Sequence, residues 1–194
     1  MRNKGFLLVL MQPPPALEEE FNAWYDTEHV PQRMAIPGIE TGRRYVCVDG
    51  YPRYLAMYDT ADPQVFDTEA YLSVSLDRST PWTKRIAGRV RIYRSAGRQV
   101  YPGAALTRPS ARVMLLRFRN VPDSVESSIV AGMRANFEER PETIQVRVFA
   151  HDNGSTFDYL GLVELRGPSS QELDLTCFGT AADSLDLVNT YAPY

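Results

Sequence analysis

The sequence is poor in the residues that carry most recognisable chemistry. Its two cysteines, Cys47 and Cys177, are too few for a disulfide framework or a zinc site. Its two histidines, His29 and His151, stand at no metal-ligand spacing from each other or from carboxylates, so no metal is assigned. No glycine-rich phosphate loop, nucleophile elbow or Cys-His pairing occurs. The apolar run Phe6 to Met11, behind Met1-Arg2-Asn3-Lys4, is too short for a membrane span and precedes no small-residue cleavage site. A net charge of −3 leaves no footprint for nucleic acid. With 44% hydrophobic and 23% charged residues in 194, the chain reads as globular and cytoplasmic, with reduced thiols.

What is present is organised twice. Gly5 to Gln12 is apolar on both parities, the mark of a strand covered on both faces. Ala16 to His29 carries the stripe Leu17, Phe21, Trp24 and Tyr25, an amphipathic helix with an acidic first turn. Pro31 biases Val30 away from helical geometry and predicts a break near His29. Thr41 to Val48 and Tyr51 to Thr60 flank Asp49-Gly50, a strong hairpin signal. A two-residue turn would pair 46 with 53 and 45 with 54. One face would then carry Arg43, Tyr45, Cys47, Tyr54, Ala56 and Tyr58, and the other Arg44, Val46, Val48, Leu55 and Met57. Helices from Gln64 and Pro81 and a strand at 89–94 complete a β-α-β-β-α-β order over 1–95. Residues 96–111 read as a linker.

The order restarts over 112–194. Arg112 to Arg119 repeats the character of the first strand. Pro122 to Glu139 is a helix with Val125, Ile129, Met133 and Phe137 on one stripe. A second hairpin turns at Asp152-Asn153-Gly154. Gly5 and Arg112 open strands 107 residues apart, and Gly50 and Gly154 mark turns 104 apart, which argues for an internal repeat. Residues 184–191 read as helical, which leaves the second unit truncated. The expected class is α+β, two ferredoxin-like repeats closing into a pseudo-dimeric α/β barrel, with the Arg43–Tyr58 hairpin face turned into an enclosed space.

The pattern Trp24-x-x-x-Glu28-His29-x-Pro31, followed by Pro37-Gly38, resembles the EthD-like branch of the dimeric α/β-barrel superfamily. The resemblance covers about residues 5–95, and the second half follows by element order alone. It implies small cofactor-free cyclases, decarboxylases or lactone isomerases, or proteins with no known activity. With the motif kept in one unit, it suggests one site per pair of units. Some relatives bind haem through a histidine; nothing else in this sequence selects for it, and no cofactor is assigned.

His29 has Tyr25, Asp26, Glu28 and Arg33 within four residues, within reach on a helix. A helix-end imidazole beside carboxylates is expected to titrate near neutrality and act as a general acid/base, with Asp26 and Glu28 supporting it. Tyr25, Arg33, Arg43, Tyr45, Tyr54 and Tyr58 would hold an anionic or phenolic small molecule. The expected function is proton-transfer chemistry on a small aromatic or lactone-like acid. The alternatives are a non-catalytic binding barrel and a haem-dependent monooxygenase. Trp24 reads as core and His151 as a solvated turn residue. Open sheet edges and superfamily habit predict a homodimer.

Overall fold

A computed structural model describes residues 3–194, the side chain of Leu76 apart; Met1 and Arg2 lie outside the described residues. The first half runs β1 (Gly5–Gln12), α1 (Glu18–Trp24), a π-helical turn (Tyr25–His29), α2 (Val30–Met34), β2 (Ile39–Cys47), β3 (Tyr54–Thr60), α3 (Glu69–Leu72), α4 (Pro81–Ala87) and β4 (Arg91–Tyr101). The second runs β5 (Arg112–Val121), α5 (Glu126–Phe137), β6 (Thr143–Asp152), β7 (Phe157–Leu165), a 3₁₀ segment (Leu175–Ser184) and β8 (Leu185–Pro193).

The eight strands close in the order β1-β3-β2-β8-β5-β7-β6-β4. Each half has the same internal order, β4-β1-β3-β2 and β8-β5-β7-β6, and the halves meet at the seams β2–β8 and β4–β6. The architecture is therefore α+β, a pair of ferredoxin-like units in one pseudo-dimeric barrel. Strand β8 occupies the stretch read as helical, and it completes the second unit. The expected linker is shorter as well, because β4 runs on to Tyr101.

Alternate residues of each strand point to opposite faces. Phe6, Leu8 and Leu10 of β1 join Leu115, Phe149 and Leu160 inside the barrel. Leu7 and Met11 face outward beneath the first half's helices, which explains why this strand is apolar on both parities. In the second half Val125, just before α5, and Ile129, Met133 and Phe137 of α5 all pack on the outer sheet face. An eight-stranded barrel is just wide enough for side chains to fill it. The interior here is a packed core, and the enclosed space lies elsewhere.

The first hairpin is shifted from its predicted register. Val46 pairs with Tyr54 and Arg44 with Ala56. The two-residue turn would have placed Pro52, which has no N–H, opposite Cys47 in the ladder; the chain instead loops from Val48 to Arg53 before re-pairing. A one-residue slip exchanges faces. Arg43 and Tyr45 therefore share a face with Leu55 and Met57, while Tyr54 and Tyr58 lie under the helices with Arg44.

One end of the barrel is tied shut by buried charge. Arg147, Asp59 and Glu164 are each 0% exposed. Arg147 donates to Asp59, to Thr107 Oγ1 at 2.8 Å and to the Ala105 carbonyl at 3.0 Å. Asp59 also accepts from the Thr107 N–H at 2.6 Å, and Glu164 accepts from the Arg108 N–H at 3.0 Å and Gln145 at 2.7 Å. The segment joining the two halves is thus held across the barrel by carboxylates from both. Because the sheet closes within one chain, it leaves no open edge among the described residues for a second copy to extend.

Candidate functional site

Pro31 does not break the first helix. Its missing N–H is accommodated by the π turn at Tyr25–His29, after which α2 continues along the same path. Such bulges let an extra residue into a helix without ending it. The consequence is positional. His29 stacks on Trp24, five residues back, at 4.3 Å between centroids, and meets Tyr25 edge-on at 5.0 Å.

These three rings wall a cavity of about 770 Å³ between the helices of the first half and the outer face of β1 and β4. Its floor includes Leu7, Val9 and Met11, and its polar groups include His29, Arg33, Ser75, Arg94 and His151. Trp24 donates to Thr83 Oγ1 at 3.0 Å, and Glu28 accepts from Thr80 at 2.5 Å and Thr83 at 3.0 Å. Thr80 also caps α4. Glu28 therefore pins the π turn to α4 and, among the described residues, makes no hydrogen bond to the imidazole.

Arg33 is 7% exposed. One Nη donates to Ser75 Oγ at 2.8 Å, and the guanidinium lies 4.7 Å from the Tyr71 ring centre. Its Nε is buried without a partner, and no carboxylate pairs with it among the described residues. A buried guanidinium with an unpartnered donor is costly.

The charge state of His29 differs from expectation. Burial, then the positive charges of Arg33 and Arg44, lower its pKa from 6.5 to about 3. Asp26, expected to favour the charged form, is paired with Arg44 at 2.5 Å instead. Arg44 sits 4.5 Å over the Tyr25 ring and 4.2 Å over Tyr194. The imidazole is neutral at pH 7 and is able to accept a proton. An anion bound at Arg33 would offset that arginine's repulsion and raise the basicity of His29.

The other predicted site residues are dispersed. Tyr54 donates to Glu18 at 2.6 Å and accepts from Asn22 at 3.0 Å. Tyr58 is fully buried with its hydroxyl unpartnered. Arg43 and Tyr45 line a separate groove of about 380 Å³ with Arg108 and Tyr194. Of the predicted set, Tyr25, His29 and Arg33 share the large cavity. His151, read as a solvated turn residue, reaches it across the β4–β6 seam. The corresponding space in the second half is filled: Phe178 packs on Phe118 at 5.1 Å and beneath Gly132, where a methyl group would have no room.

No family model matches the sequence, and no curated protein matches it. Solved structures do share its fold. An anthrone oxidase-like protein aligns with a TM-score of 0.71 at 9% identity, covering all of this chain and 92% of that one. A mutant chlorite dismutase from Candidatus Nitrospira defluvii gives 0.54 at 6%, covering 100% and 93%. A heme-binding protein from Thermus thermophilus gives 0.52 at 11%, covering 100% and 92%. The chain has the fold of the dimeric α/β-barrel proteins. No helix among the described residues is long and apolar enough to cross a membrane.

Proposed function

We propose that this chain is a cofactor-independent acid/base enzyme, of the cyclase, isomerase, decarboxylase or hydratase type expected of an EthD-like protein. Its substrate is a small aromatic or lactone-like acid held in the cavity beneath the π turn. The observation that carries this reading is Arg33: a buried cation with an unpartnered Nε and no carboxylate partner among the described residues, lining the same cavity as a neutral imidazole. The substrate's acid or phenolate oxygen takes the Arg33 donors. His29 removes a proton from a neighbouring carbon or hydroxyl, and Arg33 stabilises the anion formed. In an isomerisation that proton returns to another atom of the same substrate and all atoms are conserved; a decarboxylation releases carbon dioxide, a dehydrative cyclisation releases water and a hydration takes one up, and none of these needs an oxidant. The name of the anthrone oxidase-like neighbour is consistent with an aromatic occupant.

Replacing Arg33 with leucine tests the anchor. Binding of a hydroxynaphthoate, followed by its own fluorescence, is expected to weaken roughly ten- to a hundredfold, the worth of a charged hydrogen bond. Equal affinity in both proteins would remove Arg33 from the site.

A second reading, a non-catalytic container for the same ligands, is favoured by the low basicity of His29. Binding without any exchange of substrate protons with solvent would select it. Haem fits the cavity in one respect. His151 holds its Nδ1 on a backbone carbonyl, as metal-ligating histidines do, and would offer Nε2. A Soret shift of added hemin that disappears on replacing His151 would support that use.

A further inference from the structure

His151 belongs to β6 of the second half, yet its ring lines the cavity of the first. Its Nδ1 lies 2.6 Å from the Ala96 carbonyl, across the seam, and 3.4 Å from the Ala96 N–H. A carbonyl oxygen only accepts, so the shorter contact places the proton on Nδ1. In the neutral ring the lone pair is then on Nε2. Nε2 has no hydrogen-bond partner among the described residues, and the neighbouring cavity walls, Leu7, Ala96 and Gly97, carry no polar side-chain atom.

The strand ladder gives the spacing. Tyr58 of β3, whose hydroxyl feels the charge of Arg33, lies opposite Leu7 of β1, and Leu7 lies opposite Ala96 of β4. His151 stands one strand further, on β6. Three strand spacings, roughly 14 Å, therefore separate the Arg33 side of the floor from the His151 side.

We propose that His151 is the acceptor for the far end of the ligand, so that the cavity takes an aromatic acid carrying a hydroxyl on the ring remote from its acid group. Arg33 holds the acid; His151 Nε2 accepts the hydroxyl proton in a hydrogen bond. The site would therefore be complete only when both halves of the chain contribute. This assignment rests on the ligand reading given above and adds the ligand's second polar end to it.

The test compares two probes, a naphthoate and a hydroxynaphthoate with its hydroxyl on the ring remote from the carboxylate. The native protein should bind the hydroxylated probe roughly three- to tenfold more tightly, the yield of one added hydrogen bond. His151→Phe should abolish that preference, so that the two probes bind the variant equally. A preference that survives the substitution, or is absent from the native protein, overturns the proposal. Should His151→Phe fail to fold, proton NMR of the native protein decides. With only two histidines in the chain, the His151 ring signal should move with the hydroxylated probe alone, and movement with both probes or neither overturns the assignment. The two readings fail separately. Naphthoate binding that ignores Arg33→Leu removes the anchor, whereas Arg33-dependent binding without hydroxyl preference removes only His151.

Discussion

Replacing Arg147 with methionine is expected to destabilise the protein by about 3–5 kcal/mol, the cost of leaving a buried charge without its partner. Asp59 and Glu164 would remain in a closed barrel end where each is 0% exposed. For a chain of this size the loss corresponds to a fall in Tm on the order of 10 °C. Glu164 already feels the environment: burial holds its carboxyl above the usual range despite Arg147 at 3.6 Å. Calorimetry of Arg147→Met and of Arg147→Met/Asp59→Asn separates the causes. Neutralising Asp59 as well should recover part of the loss, since the penalty lies in the stranded carboxylate. A double variant no more stable than the single one would place the penalty in lost packing around Phe149, over whose ring the guanidinium lies at 4.7 Å.

Replacing His29 with glutamine is expected to lower the rate of proton transfer roughly a hundred- to ten-thousandfold, the usual contribution of a positioned acid/base. Dithranol, a hydroxylated aromatic carbon acid, is a suitable probe, its exchange with deuterium being followed by NMR. Binding of hydroxynaphthoate should change little, because Arg33 supplies the anchor. Retained exchange would end the role assigned to the imidazole. The same substitution should alter stability against pH. The native ring titrates near 3 and the unfolded one near 6.5, so the unfolded chain takes up the proton first. The stability due to the neutral ring is complete above pH 6.5 and is lost as pH falls towards 3. Denaturant titrations of His29→Gln should show a shallower decline across that window.

Much of the architecture could be read from local pattern. The double-sided apolarity of Gly5–Gln12 and the Val125–Phe137 stripe needed only knowledge of which faces are covered. The equal spacing of strands and turns pointed to two similar halves. Strand β8 was hidden because Leu187 and Tyr191 share their parity with polar Asn189 while Val188 and Ala192 are apolar on the other, so no clean alternation marks it. The slipped hairpin had a visible cue in Pro52, whose missing N–H outweighs the Asp-Gly signal.

The site was legible in part. Tyr25, His29 and Arg33 lie close together in sequence, and the π turn keeps them together in space. Arg43 and Tyr45 were assigned with them on a register that the structure does not adopt. The protonation of His29 was misjudged because burial and the charges of Arg33 and Arg44 lower its pKa, while Asp26 is drawn off to Arg44, and neither the burial nor that pairing has a local signature. His151 reaches the cavity through a seam between halves, which no window along the chain reveals.

The cavity beneath the π turn, and not the barrel interior, is the proposed seat of the aromatic acid. A crystal structure of the protein with hydroxynaphthoate tests it most directly. The carboxylate is expected within hydrogen-bonding distance of Arg33, and the rings between His29 and the floor of Leu7, Val9 and Met11. Ligand lodged in the Arg43–Tyr45 groove, with that cavity empty, would contradict it.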